Sequence, residues 1–330
     1  MDSKRLKILS SEQINRAEWT QLSQSARLST WFQSPECFDL YDATPQLDAF
    51  AFGITEEDQL IAVIVGYATP STGLLRHFSR RAIIQGGMLI ANDCPTGAVQ
   101  ALLKHVTTAL SDTIYIELRN FNDYSSYRSA FEASGFNYMP HYDIHVNTAA
   151  DKDIMSALSE SKRRQYRKAL SLGVTCRQSD NEQDLHDFYQ LLRRHYRRRV
   201  RRTLMGFDFF RKVVLQKHGI LLCVKTKEGE VIGGMLCVGM RNLFEWYICG
   251  NEKKSHLYPS TVATIEALLL SQRLGHQNFD FMGAGEPGVK YGVRDFKMKF
   301  GGELLELGRY IHVNKPVRYK IGSLIINAVK

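Results

Sequence analysis

Two segments of this chain repeat the same order of elements. Residues 52–65 and 224–236 each contain an apolar run, a short charged turn and a second apolar run, a pattern typical of a β-hairpin. After each hairpin come an amphipathic helix, at 99–110 and 262–274, and a short apolar strand, at 114–118 and 279–282. Each copy also has a phenylalanine near a glycine turn, Phe131 and Phe296.

The offset between matching positions is nearly constant, which favours a duplicated α/β unit over a chance likeness of generic segments. The sequence therefore predicts an α/β (α+β) protein of two tandem units, each a mixed twisted sheet flanked by helices. With 330 residues, of which 44% are hydrophobic, the chain is long enough for two ordinary cores. We place the boundary near Ala149, giving domains 1–149 and 150–330.

Charge is distributed unevenly between these halves. Residues 1–150 carry 11 basic and 16 acidic side chains, whereas the remainder carries 32 and 18. The predicted helical segment 161–202 is the most basic part, with 13 basic and 4 acidic residues. Such an asymmetry indicates an anionic partner for the C-terminal half, and phosphates are the usual candidates. A well-solvated basic surface is the alternative.

The run Arg193–Arg202 is the strongest basic feature in this segment. Arginine forks suit bidentate contact with phosphate, as in nucleic acid or a nucleotide-linked substrate. Tyr196 is the only aromatic residue in the run, so the base stacking usual for single-stranded nucleic acid is thinly provided.

Two motifs invite a cofactor or metal assignment that we reject. Gly283–Gly288 has the spacing GxGxxG, but Glu286 would face a pyrophosphate and Pro287 lacks a backbone donor. His141 and His145 lie in a strand-like stretch, 139–146, where residues four apart are about 13 Å from each other, too far for one metal ion. We expect no metal and no bound cofactor.

The six cysteines form no CxxC pair and lie in or near apolar runs, so we expect buried free thiols in a reducing compartment. No signal peptide or membrane span is visible, which favours a cytoplasmic protein. The apolar tail 321–329 is expected to pack on the core, with peripheral membrane contact as the alternative.

Several segments resemble, in order, the Fem-type (FemABX) peptidyl and aminoacyl transferases of the GNAT-like acyltransferase superfamily. The likeness spans residues 30–312 and rests on seven segments: Phe32–Glu36, Gln85–Leu89, Glu117–Asn120, Ser161–Val174, Asn251–Thr261, Phe279–Gly283 and Phe296–Glu303. The resemblance implies two tandem GNAT-like domains, which agrees with the repeat. It also implies a bacterial enzyme of peptidoglycan (cell-wall) biosynthesis that transfers an amino acid from aminoacyl-tRNA to an amine of a cell-envelope precursor.

Phe296 and Lys297 match the catalytic Phe-Lys pair of that family. The implied role of Lys297 is to stabilise the oxyanion that forms when an amine attacks an ester or thioester carbonyl. Arg197 falls near the family's phosphate-binding arginine, and Arg198 or Arg199 could take its place. Arg164, Tyr247 and Tyr258 complete the candidate substrate-binding and phosphate-binding residues.

The sequence departs from the family in two ways. Some members have a lysine soon after the Phe32–Glu36 signature, but residues 35–42 contain none, and the helical arm of some members is absent. These departures put a peptidoglycan acceptor in doubt. Acyl transfer from acyl-CoA or an acyl carrier to a sugar, polyamine or lipid amine is the second hypothesis. The segment 251–256 is not a glycine-rich diphosphate loop, which counts against acetyl-CoA. A non-catalytic basic RNA-binding protein is the third. The donor, the acceptor and the oligomeric state stay open.

Overall fold

The computed structural model describes residues 5–69, 80–200 and 203–329. The chain forms two compact units, and each is described by itself. Unit 1 consists of Met1–His141 together with Glu306–Lys330, and unit 2 consists of Tyr142–Leu305. The predicted α/β class with two tandem mixed sheets is confirmed.

Unit 1 contains one mixed sheet with strand order β1-β2-β3-β4-β6-β15-β7, and β5 pairs with β3. Its strands are β1 Leu6–Ser10, β2 Asp48–Glu56, β3 Gln59–Ala68, β4 Ala82–Gly86, β5 Leu89–Ile90, β6 Tyr115–Asn120, β7 Asn137–Met139 and β15 Arg309–Val313. Its described helices are α1 Arg16–Ser25, α2 Pro35–Asp42, α3 Thr96–Ala109, α4 Arg128–Ala133 and α11 Pro316–Val329.

The predicted hairpin at 52–65 is the β2–β3 pair. Glu57 and Asp58 form its turn with φ of 50° and 66°, as a tight two-residue connection requires. Helix α3 buries Val99, Leu102 and Val106 completely against the sheet, as its three- and four-residue spacing predicts.

Strand β15 comes from the C-terminal end of the chain but lies inside the sheet of unit 1. It pairs antiparallel with β6 through Tyr310 and Leu118, and with β7 through Arg309 and Met139. This corrects the predicted domains 1–149 and 150–330, because residues 306–330 return to unit 1 and the first crossing falls at His141. The repeat could not indicate this exchange, since it compares only segments within each half.

Unit 2 contains a sheet with strand order β14-β8-β13-β12-β11-β10-β9, in which β12 and β13 are parallel. Its strands are β8 Tyr142–Asn147, β9 Thr175–Gln178, β10 Ile220–Lys225, β11 Val231–Gly239, β12 Leu243–Gly250, β13 Asn278–Asp280 and β14 Glu303–Glu306. Its helices are α5 Ile154–Ala157, α6 Glu160–Ser171, α7 Glu182–His195, α8 Phe207–Leu215, α9 Pro259–Arg273 and α10 Gly292–Met298, and a π-helical turn, Tyr196–Val200, extends α7.

Helix α9 is the central helix of unit 2. Val262, Ile265 and Leu268 are fully buried in a core that also contains Phe279 and Phe300. Gly173 ends α6 with φ of 78°, at the break predicted between the two basic helices. The core therefore fixes α6, α9 and α10 on one side of β12 and β13.

The stretch 139–146, predicted as one strand, is two. Strand β7 ends at Met139, and β8 begins at Tyr142 in the other sheet. Pro140 lies between them and cannot donate to a ladder, which explains the break. His141 lies 2.9 Å from the Arg309 guanidinium in unit 1, whereas His145 belongs to unit 2.

The cysteines are free thiols, and only Cys176 is less than fully buried. Among the described helices, none has both the length and the apolar character to cross a membrane. In α11, Ile321 and Leu324 are exposed, whereas the tail 321–329 was expected to pack on the core.

Candidate active site

Lys297 lies in α10 with its ammonium turned into unit 2. The residue is 8% exposed. Its Nζ donates to the backbone oxygens of Phe281, at 2.6 Å, and Gly283, at 2.9 Å, and lies 3.4 Å from Glu245 Oε1. Two backbone hydrogen bonds and the ion pair with Glu245 thus surround the ammonium. Stabilising an oxyanion would require one of these partners to be exchanged for it.

The turn after β13 presents these carbonyls. Met282 and Gly283 have φ of 56° and 108°, so the backbone reverses between the two oxygens that contact Lys297. Two carboxylates stabilise the same turn by accepting hydrogen bonds from its backbone N–H groups. Asp280 accepts from Met282 N at 2.6 Å, and Asp143 accepts from Gly283 N at 2.9 Å. The position of the lysine partners is therefore fixed by buried carboxylates.

Glu245 on β12 is the acidic neighbour of Lys297. Burial, opposed by the Lys297 ammonium, raises the pKa of Glu245 to about 7. A carboxyl group with this pKa changes protonation state near neutral pH, as a general base or acid must. The pair thus combines a cation with a proton acceptor at one buried point.

Phe296 lies next to Lys297 and packs against a second buried lysine. The Nζ atom of Lys162, on α6, is 3.8 Å from the centre of the Phe296 ring and 4.9 Å from that of Phe300. A cation above an aromatic face is favourable, and more so when it is desolvated. This contact joins α6 to α10.

Lys162 also contacts the first turn of α9. It is 4% exposed and lies 3.1 Å from Thr261 Oγ1 and 3.3 Å from Gln165 Oε1. No described carboxylate forms an ion pair with it. Burial, with a smaller effect of nearby Lys299, lowers the pKa of Lys162 to about 8. Besides Lys297, the site thus contains a second buried amine, Lys162, whose own pKa is moved towards neutrality.

The predicted phosphate-binding residues are exposed on unit 2. Arg164 lies on α6, and Arg197, Arg198 and Arg199 lie on the π-helical turn. Arg199 is paired with Glu252 at 2.7 Å, so its guanidinium is partly neutralised. Arg197 and Arg198 are the more accessible cations for a phosphate.

The two predicted tyrosines lie at different places, Tyr247 beside the basic turn and Tyr258 at the start of α9. The ring centre of Tyr247, on β12, is 6.1 Å from that of Tyr196 at the head of the turn. Tyr258 precedes α9 with φ of 54°. No described contact joins Arg197 or Arg198 to Lys297, so the structure forms two neighbourhoods, one around Lys297 and one around the basic turn.

The segment before α9 does not offer a row of free backbone donors. It forms a 3₁₀ helix, Glu252–Leu257, in which Lys254 N donates to Asn251 O and Lys253 N to Asn251 Oδ1. These N–H groups are already occupied, and the Glu252 carboxylate lies among them. That 251–256 is not a diphosphate loop stays a prediction.

Lys162 and Glu245 were missed by the sequence analysis. Each meets its partners from a distant segment, Thr261 for Lys162 and Lys297 for Glu245. The one available signal was an acidic residue inside the apolar run of β12, because a charged residue in a buried strand needs a partner.

Comparison with known proteins agrees with this architecture. Residues 156–298 match the family model described as an acetyltransferase (GNAT) domain. No curated protein sequence matches the chain. Among solved structures, FemX has a TM-score of 0.72 at 14% identity, covering 96% of this chain and 100% of FemX.

Two further structures have related folds. L-PGS from Bacillus licheniformis has a TM-score of 0.59 at 14% identity, covering 89% of this chain and 97% of its own. A tandem GNAT protein from the clavulanic acid biosynthesis pathway has a TM-score of 0.60 at 10% identity, covering 94% and 99%. The predicted Fem-type fold of GNAT-like units is confirmed, and so is the predicted enzyme class, a transferase.

Proposed function

We propose that this protein transfers an aminoacyl group from aminoacyl-tRNA to an amine of a cell-envelope precursor. The observation that carries the proposal is the buried pair of Lys297 and Glu245 inside a GNAT domain. An ammonium suits the oxyanion of acyl transfer, and a carboxylate with a pKa near neutrality suits the proton of the attacking amine.

The step is an aminolysis. The acceptor nitrogen attacks the ester carbonyl carbon, and the oxyanion takes one of the donor positions of Lys297. The carbon–oxygen ester bond then breaks, an amide bond forms, and the ribose oxygen leaves with one proton. Glu245, in its ionised form, receives the proton that the attacking amine loses and returns it to the departing ribose oxygen. Phe296, which packs on Lys162, holds the part of α10 that carries Lys297.

The donor is inferred from the basic turn. Arg197 and Arg198 are exposed at the end of α7, and Tyr196 and Tyr247 lie beside them. This combination suits the phosphates of a nucleic acid better than the diphosphate of CoA, for which the 3₁₀ segment at 252–257 provides an acidic side chain and occupied donors.

The test is transfer of labelled amino acid from charged tRNA to a set of amines: a nucleotide-linked muramyl pentapeptide, glucosamine and spermidine. We expect Lys297→Met to lower the transfer rate on the order of 10²–10³-fold, as for loss of an oxyanion donor. Lys299→Met is the matched control, because Lys299 is exposed two residues away. Full activity of Lys297→Met would refute the mechanism.

A second function is favoured by one observation. The matched family model is that of an acetyltransferase, and a tandem GNAT structure is among the related folds. Acyl transfer from acyl-CoA to a sugar, polyamine or lipid amine is therefore the alternative. Titration calorimetry with acetyl-CoA, against tRNA binding, separates the two donors. Salt-dependent tRNA binding with no transfer to any amine would instead indicate a non-catalytic RNA-binding protein.

A further inference from the structure

A second polar cluster of unit 2 is built on β8 and β13. Asp143 and His145 are two residues apart on β8 and therefore point to the same face. Asp280 on β13 is the cross-strand partner of His145. Asp143 is 3% exposed, Asp280 is 0% exposed, and the His145 side chain is 13% exposed. The sheet thus gathers two carboxylates and an imidazole at one buried place.

One ligand atom from each of the three side chains lies within 4.8 Å of the other two. His145 Nε2 and Asp280 Oδ2 are 3.0 Å apart and face each other as an ion pair, but neither atom has a well-directed hydrogen bond. A fully buried carboxylate oxygen without a well-directed hydrogen bond is unusual, and a metal ion between the two atoms would satisfy both.

The remaining carboxylate oxygens are held in place by the backbone. Asp143 Oδ1 accepts from the N–H groups of Ile144, at 2.7 Å, and Gly283, at 2.9 Å. Asp280 Oδ1 accepts from Met282 N at 2.6 Å. Each carboxylate is thereby oriented with one oxygen left for the shared space, as outer partners orient the ligands of metal sites.

We propose that Asp143, His145 and Asp280 bind a divalent transition-metal ion such as Zn²⁺. Binding of the ion displaces the imidazole proton of His145 to solvent, and the neutral imidazole and two carboxylates then supply two negative charges, which match a dication. Bonds of about 2.0–2.2 Å place neighbouring ligand atoms a little over 3 Å apart, a separation that the cluster reaches with small shifts. Three protein ligands leave a further coordination position open.

The ion would act on the turn that positions Lys297. Asp280 begins the segment whose Phe281 and Gly283 carbonyls contact Lys297 Nζ, and Asp143 binds Gly283 N. A metal ion bound to both carboxylates would therefore fix those two carbonyls. The proposal goes beyond the proposed function and does not depend on it, because metal binding is measured without any substrate.

The test uses the full chain, stripped with a chelator and titrated with Co²⁺, whose visible absorption reports its ligands, and with Zn²⁺ in a calorimeter. We expect one ion per chain. His145→Gln should weaken binding at least about a hundredfold, the upper range for losing even an outer partner. His186→Gln is the matched control, because His186 and Asp187 form an exposed pair 3.6 Å apart, and it should bind as the unchanged protein does.

Circular dichroism and thermal unfolding check that each variant is folded, and Asp143→Asn provides a second ligand variant. Absence of stoichiometric metal in the unchanged protein would overturn the proposal and leave His145 and Asp280 as a closed ion pair. Equal affinity in a folded His145→Gln and in the control would also overturn it.

Discussion

The buried charged side chains of unit 2 distinguish it from an ordinary α/β core, and three of them, Lys162, Glu245 and Lys297, lie at the candidate active site. Two of them, Lys162 and Glu245, have pKa values moved towards neutrality, mainly by burial. Buried ionisable groups with shifted pKa values are concentrated at functional sites. At the residue scale, the chemistry thus depends on the loss of water around each charged group as well as on the groups that it contacts.

Glu245 gives the first prediction. If it accepts the proton of the attacking amine, the transfer rate should rise with pH through about 7, where the carboxyl group ionises. Glu245→Gln should lower the rate on the order of 10²–10⁴-fold and remove this rise. The measurement is a pH–rate profile of both proteins. An unchanged profile in the variant would assign the proton to the substrate itself.

Glu117 gives a prediction for stability in unit 1. Although burial opposes it, the guanidinium groups of Arg119 and Arg309, at 2.9 and 2.7 Å, lower the pKa of Glu117 to about 2. A lowered pKa stabilises the fold above the unfolded value of 4.5, and this contribution is lost as pH falls towards 2. The linkage amounts to about 3 kcal/mol.

Urea unfolding at pH 6 and pH 3 tests this. Glu117→Gln should be less stable at pH 6 and should lose less stability on acidification than the unchanged protein. Glu132→Gln, in which an exposed glutamate of α4 is changed, should lose as much stability between pH 6 and pH 3 as the unchanged protein. If all three proteins lost the same stability between pH 6 and pH 3, Glu117 would not be the source of the pH dependence.

At the scale of elements, helix ends were easier to predict than buried partners. Asn181 begins α7, and its side chain accepts from Gln183 N at 2.9 Å and Asp184 N at 3.1 Å. We expect Asn181→Ala to destabilise unit 2 by about 1 kcal/mol and to lower its Tm by roughly 2–4 °C.

Ser159→Ala is the control for this change, because Ser159 begins α6 without a capping hydrogen bond. Thermal unfolding followed by circular dichroism compares the two. Equal losses would mean that the Asn181 contacts contribute nothing.

Local patterns predicted much of the fold. The hairpins, helices α3 and α9 and the break at Gly173 all follow from periodicity and turn residues. Lys297 and Phe296 were identified only through a family resemblance, since a lysine before Phe300 is by itself an ordinary surface residue. The burial of Lys297 depends on backbone carbonyls of a turn with positive φ. Asp280 lies beside His145 only because of the register between β13 and β8. Such pairings are set by tertiary structure, which no local pattern encodes.

At the scale of the whole molecule, the exchange of β15 is the main departure from the prediction. The strand lies between β6 and the edge strand β7, so residues 1–149 alone lack the strand that joins β7 to the rest of their sheet. We expect fragment 1–149 to remain unfolded. A chain joining 1–141 to 306–330 through a short glycine linker should fold, since Gly308 N already donates to His141 O at 3.0 Å.

Amide exchange and circular dichroism distinguish the two proteins. Cooperative unfolding of fragment 1–149 would show that β15 is dispensable for unit 1. Failure of the linked chain, with unit 2 residues 142–305 folded on their own, would show that unit 1 needs its neighbour.

The placement of β15 also sets an order of events during synthesis. A ribosome releases residues 1–141 first, but their sheet lacks β15 until residues 306–330 emerge. Unit 2 has all of its strands once residue 305 has been made, whereas unit 1 still lacks β15. Unit 2 can therefore fold before unit 1, although most of unit 1 is translated first. Until then β7 has no partner strand and β6 is paired only with β4, so we expect the nascent N-terminal segment to be the part of the chain that binds a chaperone.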